Sequence, residues 1–95
     1  SKAGLIGLTQ VVATEFGAQK IRANALVCGG ADTPMGRSVA DTPAALDFIS
    51  GLYALKRIAQ PEEIARAAAF LASDASSFMT GTATLVDGGV SICRT

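Results

Sequence analysis

Residues 21–30 read IRANALVCGG, a short and mostly apolar run that ends in two glycines. A continuous apolar run of this length, bounded by glycine, is typical of a strand buried on both faces of a parallel sheet, so we predict a strand over residues 21–27. Residues 82–86, TATLV, predict a second such strand, which the three residues DGG close. Two parallel strands with helices between them indicate the α/β class.

Helical patterns account for most of the chain outside these strands. The apolar spacing of residues 1–16 predicts a helix, and Gly17 is expected to end it in the left-handed conformation. A second helix is predicted from about residue 43 to residue 55, weakened by Gly51. The clearest helix should run over residues 61–73, because proline opens it and two glutamates fill its first turn.

The predicted elements do not make a complete sheet. Parallel sheets need several strands and helices on both faces, and only two strands are predicted here. Helical periodicity is also already present at the first residues, where a domain usually opens with a cap or disordered residues. We therefore expect a C-terminal part of a larger domain, with apolar side chains left uncovered. Those side chains are Leu5, Leu8, Val12, Ile21, Val27, Leu85 and Val86.

Composition excludes several classes of function. The 95 residues include eight basic and eight acidic side chains and no histidine, which rules out a histidine-centred triad or a histidine-ligated metal. A net charge of zero gives no electrostatic case for nucleic acid. Apolar runs are too short to span a bilayer, and Cys28 and Cys93 match no metal or redox spacing. We expect a cytoplasmic protein without metal, membrane or nucleic-acid partners.

Five segments follow one another in a recognisable order: SKAGL at 1–5, IRANA at 21–25, GGADT at 29–33, RIAQPEEI at 57–64 and FMTGTATLVDGG at 78–89. In order and spacing they resemble motifs of the short-chain dehydrogenase/reductases. These are the end of the Tyr-x-x-x-Lys motif, the I-R-V-N-A strand, the P-G-x-V-x-T cofactor loop, the R-x-x-x-P-E-E-I linker and the closing F-x-T-G-x-x-x-x-V-D-G-G. The resemblance extends over essentially all 95 residues.

The resemblance implies a Rossmann-type doubly wound parallel sheet, of which residues 1–95 would supply the last two strands and flanking helices of one NAD(P)-binding domain. It also implies hydride transfer between NAD or NADP and a small alcohol or carbonyl substrate. Residues 36–59 would form a lobe covering the substrate. The full-length protein would be a homo-oligomer, either a dimer or a tetramer.

Lys2 matches the lysine of the family's active-site motif. The resemblance implies that its ammonium lowers the pKa of the catalytic tyrosine by stabilising the phenolate, and that it also hydrogen-bonds the nicotinamide ribose. That tyrosine would lie just before residue 1. We therefore expect the 95 residues alone to be inactive.

The remaining candidate cofactor contacts lie in the loop after the first strand. The resemblance assigns Cys28, Gly29, Ala31 and Thr33 to this loop, with Thr33 and the main chain of Ala31 hydrogen-bonding the nicotinamide carboxamide. Glycine at position 29 would let the main chain pass close to a ligand ring. Cys28 replaces the usual proline and Ala31 the usual Val or Ile, which puts the rigidity of the loop in doubt.

Three residues resemble functional groups but have simpler interpretations. Tyr53 has lysine at spacing three and arginine at spacing four, so it is not a second Tyr-x-x-x-Lys motif, and we expect it to line or cover the substrate side. Asn24 lies in a strand and is expected to make a structural hydrogen bond, while Asp87 is expected to form a turn. Two alternatives stay open: a non-catalytic relative that binds or scaffolds, and an independent small α/β interaction module.

Overall fold

The computed structural model describes residues 2–29 and 41–92, with the side chain of Lys2 excepted. Its α-helices are α1 (Lys2–Phe16), α2 (Pro43–Gly51) and α3 (Pro61–Ala72), and its strands are β1 (Ala25–Cys28) and β2 (Ala83–Val86). Two short 3₁₀ helices, Gly17–Gln19 and Asp74–Ser76, follow α1 and α3.

The two strands pair with each other in parallel, as the sequence predicts. The amide of Ala25 donates to the carbonyl of Thr82 at 2.9 Å, and the amide of Gly29 donates to the carbonyl of Val86 at 3.2 Å. In both bonds the acceptor residue lies the same number of residues after the donor residue, so the two strands run in the same direction. The carboxyl ends of β1 and β2 therefore meet at one edge of the sheet.

The first strand begins four residues later than predicted. Residues 21–24 do not form a strand, because their main-chain groups do not hydrogen-bond to β2. The amide of Ala23 donates to the Thr80 hydroxyl at 3.1 Å, and its carbonyl accepts from the Gly81 amide at 2.7 Å. The prediction that both faces of the strands are buried is also wrong for the described residues. Ala25 is buried, but Leu85 of β2 is 56% exposed.

Two predicted helix ends need correction. Gly17 does not take the left-handed conformation; Lys20 does, with φ 63°, and its amide donates to the carbonyl of Gly17 at 3.0 Å. The chain thus continues through a 3₁₀ turn before it reverses. Helix α2 ends at Gly51 rather than near residue 55, because the next residues form tight turns that include Lys56 at φ 60°.

Helix α3 begins where the sequence predicts, at Pro61, and the preceding residues explain why. Gln60 donates its amide to the Glu63 carboxylate at 2.9 Å, and the amide of Glu63 donates to the carbonyl of Gln60 at 2.9 Å. This reciprocal pair satisfies main-chain groups at the helix start. Arg57 adds two bonds to the same carboxylate, at 2.6 and 2.9 Å.

Arg22 and Asn24, which we call the clasp, hold the chain around the end of α3. The Arg22 guanidinium donates to the carbonyls of Leu71 at 2.8 Å, Ser73 at 3.1 Å and Met79 at 3.0 Å. A cation beside the last carbonyls of a helix stabilises the helix, because it hydrogen-bonds these carbonyls and interacts favourably with the helix dipole. This role of Arg22 was not predicted from the sequence, although a charged residue inside an apolar run is a signal for it.

Asn24 makes the structural hydrogen bonds that the sequence predicts. Its amide nitrogen donates to the Met79 carbonyl at 3.0 Å, while its oxygen accepts from the Thr82 amide at 3.1 Å and the Thr82 hydroxyl at 2.7 Å. One side chain therefore ties β1 to the segment that leads into β2.

The chain divides into two compact units, residues 1–27 with 67–85 and residues 28–66 with 86–95. In the first unit Ala13, Ala25 and Ser76 are buried. In the second unit Tyr53 is buried. None of the described helices is long and apolar enough to cross a bilayer.

Large apolar side chains are exposed on both units, as predicted for four of them. Leu5 is 61% exposed and Leu8 59% exposed on α1, and Ile21 and Leu85 are also exposed. The valines at 12, 27 and 86 were also predicted to be uncovered, and they are half-buried.

Candidate functional site

Gly29 and Asp87 lie side by side at the carboxyl edge of the sheet, directly after β1 and β2. A methyl group on Gly29 would lie 3.3 Å from the Cα of Asp87. In open α/β sheets ligands bind in the crevice outside the carboxyl ends of the strands, so this edge is the candidate site. It carries the predicted cofactor-loop residues Cys28 and Gly29.

Asp87 forms the turn that the sequence predicts. One carboxylate oxygen accepts from the Gly89 amide at 3.0 Å, and the other accepts from the Ser91 amide at 3.2 Å and from the Ser91 hydroxyl. Gly88 and Gly89 take positive φ values of 58° and 87°, which glycine adopts without steric cost. We call residues 87–91 the glycine turn.

The electrostatics of the glycine turn follow from these bonds. The Ser91 hydroxyl, followed by the Gly89 amide, holds the pKa of Asp87 below its usual value. The carboxylate is therefore ionised near neutral pH, with its oxygens engaged inside the turn. The charge is hydrogen-bonded within the turn, so the groups that residues 28, 29 and 86–89 offer at this edge are mainly those of the main chain.

Tyr53 is buried beside the same edge, only 7% exposed. A methyl group on Gly29 would lie 2.9 Å from its Cε2 and 3.2 Å from its hydroxyl oxygen, and one on Gly88 would lie 3.2 Å from its Cδ2. The sequence predicts that Tyr53 lines or covers the substrate side, and this stays a prediction. In the structure its ring packs against Gly29 and Gly88.

The contact with Tyr53 gives a reason for glycine at position 29 that needs no ligand. The space a side chain would fill is taken by Tyr53 and Asp87, and the Gly29 amide is used by Val86. A cofactor contact at Gly29 would therefore involve its carbonyl. Cys28, at the end of β1, is an exposed free thiol.

The structure does not describe the functional groups of the other predicted site residues. Lys2 is the first residue of α1, and its side chain lies outside the described part of the chain, as do all atoms of Ala31 and Thr33. Their roles stay predictions. Residues 36–40 of the predicted substrate lobe are likewise outside it, while residues 41–59 belong to the second unit.

A salt bridge stabilises the segment that joins the predicted lobe to α3. Arg57 and Glu63 form a two-pronged ion pair, with side chains 52% and 34% exposed. The Arg57 guanidinium, with the Gln60 amide second, lowers the pKa of Glu63 to about 2. The Arg and second Glu of the RIAQPEEI motif are thus explained by structure rather than by catalysis.

Comparison with known proteins gives consistent matches. A family model described as enoyl-(acyl carrier protein) reductase matches residues 1–91. The oxidoreductase UcpA of Salmonella typhimurium is 42% identical over 95 residues, covering 94% of this chain and 36% of that protein. The ligand-free aldohexose dehydrogenase of Thermoplasma acidophilum has a TM-score of 0.89 at 37% identity, over 99% of this chain and 40% of that one.

A 4-hydroxyisoleucine dehydrogenase mutant, solved with NADH and succinate, matches with a TM-score of 0.90 at 32% identity, over 99% of this chain and 39% of that one. The chain thus spans little more than a third of the length of the proteins it matches. The Rossmann-type class predicted from the motifs is confirmed by these neighbours. From the family match over residues 1–91 and its agreement with the five motifs, the chain belongs to the short-chain dehydrogenase/reductase family.

Proposed function

We propose that the protein containing these residues is an NAD(P)-dependent oxidoreductase that moves a hydride between nicotinamide and an alcohol or carbonyl carbon. Family membership carries the proposal, since its match includes the Lys2 motif. NADH in the solved 4-hydroxyisoleucine dehydrogenase supports a nicotinamide cofactor. Among the described residues of this edge, the Asp87 carboxylate is engaged within its own turn, which leaves main-chain groups to contact a ligand.

The nicotinamide, when bound, supplies or accepts the hydride, and the residues of this chain would prepare the site. Lys2 would hold its ammonium beside the phenol of a tyrosine preceding residue 1. A positive charge there stabilises the phenolate, lowers the tyrosine pKa and makes proton exchange with the substrate oxygen easier near neutral pH. Lys2 would also donate a hydrogen bond to the ribose.

The loop after β1 would orient the ring. In the proposal the Thr33 hydroxyl and the main chain of Ala31 hydrogen-bond the carboxamide, while Cys28 and Gly29 form the wall beside it. These contacts are neutral, as a carboxamide requires. Residues 36–59 would cover a small alcohol or carbonyl substrate.

The proposal extends to the setting of the protein. We place it in the cytoplasm as a homodimer or homotetramer, and the exposed Leu5 and Leu8 of α1 support burial against further protein. The 95 residues alone should bind dinucleotide poorly and be inactive, because the tyrosine and the phosphate-binding turn would lie elsewhere in the protein. An independent interaction module does not account for the family match.

Substitution of Lys2 by Met in the complete protein tests the proposal. Turnover should fall by a factor approaching the 10²–10⁴ that general acid–base catalysis contributes, about two to four orders of magnitude. Lys20→Met is the matched control, because Lys20 is an exposed lysine outside the proposed site and should leave turnover unchanged. Near-normal turnover of Lys2→Met would show that Lys2 is a bystander. Cofactor binding without turnover in the wild type would favour a non-catalytic relative.

A further inference from the structure

Tyr53 occupies a position that joins three segments of the second unit. It is the single tyrosine of the chain and it is 7% exposed. The Cδ2–Cε2 edge of its ring lies against both glycines, with Cε2 nearest Gly29 at the end of β1 and Cδ2 nearest Gly88 in the glycine turn. A buried aromatic ring contributes a large apolar area and stays in a fixed rotamer when it is closely packed.

The ring is held on the side of the glycine turn. The amide of Leu55 donates to the carbonyl of Gly88 at 3.1 Å, two residues after Tyr53. The next glycine is closed off as well, since a methyl on Gly89 would lie 2.5 Å from the Cβ of Ala54. Residues 53–55 therefore cannot retreat from the turn without breaking these contacts.

Gly29 is held on its other side by the sheet, through its bond to Val86. Its position is thus determined by two neighbours: the end of β2 and the edge of the Tyr53 ring. Gly29 is also the first residue of the GGADT segment, the loop that the proposed function assigns to the nicotinamide. The main-chain geometry of Gly29 therefore fixes the point at which this segment begins.

We propose that Tyr53 is a positioning residue for the cofactor: its ring sets the main chain of Gly29 and thereby the start of the nicotinamide loop. The inference rests on the proposed function. Tyr53 acts through Gly29 and does not touch the reacting atoms, because its ring is buried against the two glycines. Changes at either partner should therefore alter cofactor affinity more than the chemical step.

The test compares five variants of the complete protein: Tyr53→Leu, Tyr53→Phe, Gly29→Ala, the double variant Gly29→Ala/Tyr53→Leu, and Gly17→Ala as control. The Gly17 control adds the same methyl group where nothing lies within 4 Å. Dissociation constants for NADH and NADPH are measured by fluorescence, with kcat and the melting temperature alongside.

Gly29→Ala and Tyr53→Leu should each weaken cofactor binding about tenfold, the order of the penalty for overpacking or unpacking one contact. The double variant should recover most of that loss, because the smaller leucine makes room for the added methyl. Tyr53→Phe keeps the ring and should stay within about threefold of wild type. The value of kcat should change less than the dissociation constant, and Gly17→Ala should match wild type.

Equal affinity in wild type, Tyr53→Leu and Gly29→Ala would overturn the inference and leave the proposed function standing. A lower melting temperature with unchanged affinity would do the same, since it would show a purely structural role. Additive losses in the double variant would show that the two residues do not act through one contact. If Tyr53→Leu does not fold, Tyr53→Met with Gly29→Ala replaces it. Failure of the wild type to bind either cofactor would instead overturn the proposed function.

Discussion

The amino-terminal and carboxyl-terminal ends of the two strands are stabilised in different ways. At the amino-terminal ends, Arg22 and Asn24 form side-chain hydrogen bonds to main-chain carbonyls and to Thr82. At the carboxyl-terminal ends, glycines bring the main chain close to Tyr53 and Ala54. The first arrangement depends on charge and hydrogen bonding, and the second depends on the absence of side chains.

This difference separates stability from function along the same pair of strands. Polar groups that are already bonded within the protein have little left to offer a ligand, so the clasp is suited to a structural role. The carboxyl ends offer main-chain groups and closely packed glycines at the edge where α/β sheets bind ligands. Substitutions at the two ends should therefore impair the protein for different reasons: lost hydrogen bonds at the amino-terminal ends and overpacking at the carboxyl-terminal ends.

The largest loss of stability is expected from Gly89→Ala in the complete protein. Gly89 has φ 87°, and an added methyl would lie 2.5 Å from the Cβ of Ala54. We expect the free energy of unfolding to fall by about 3 kcal/mol, since a left-handed non-glycine residue and an overpacked contact each cost about 1–3 kcal/mol. Urea denaturation measures the loss. Gly51→Ala, which adds a methyl where nothing lies within 4 Å, is the control, and an equal effect of both would refute the packing argument.

Arg22→Met tests the clasp and should cost somewhat less. It removes a guanidinium that donates to three carbonyls around the end of α3. The expected loss is about 1.5–3 kcal/mol, the range for hydrogen bonds to a charged group. Arg66→Met, at an exposed arginine of the same helix, should change stability little. If Arg22→Met is no worse than Arg66→Met, the clasp contributes no net stability.

The smallest change in stability is expected when acid breaks the Arg57–Glu63 ion pair, because both side chains are partly exposed. Arg57 lowers the pKa of Glu63 from 4.5 to about 2, so the stabilisation is fully present above pH 4.5 and disappears as the pH falls toward 2. Glu63→Gln should abolish this part of the pH dependence. Melting temperatures of wild type and variant should converge across that window; a constant gap down to pH 2 would contradict the assignment.

Patterns along the sequence predicted which elements exist better than where they end. Apolar periodicity identified the helices and both strands, and the Pro61 start was marked by its own chemistry. The first strand was predicted to begin four residues before its actual start. The reason is that residues 22–24 hydrogen-bond to residues distant in the sequence, which no local pattern shows. Gly17 was expected to end the helix in the left-handed conformation, but a 3₁₀ turn follows α1 and Lys20 takes that conformation.

The candidate site was predictable only in part, for a similar reason. The motifs predict roles for Lys2, Cys28, Gly29, Ala31 and Thr33 through resemblance, since each lies in a short contiguous segment, and these roles stay predictions. Tyr53 was separated from Gly29 and Gly88 by many residues, and its packing against both depends on the tertiary fold. A buried tyrosine and a substrate-lining one have the same local sequence signal.

Nicotinamide binding by the complete protein tests the central claim most directly. NADH and NADPH are titrated by fluorescence against wild type and Thr33→Ala. We expect micromolar binding of at least one cofactor by wild type, and a loss of binding free energy in the variant of roughly 0.5–1.5 kcal/mol, the net contribution of one neutral hydrogen bond. Unchanged affinity in Thr33→Ala would remove that residue from the site. Absence of binding of both cofactors to folded wild-type protein would contradict the account.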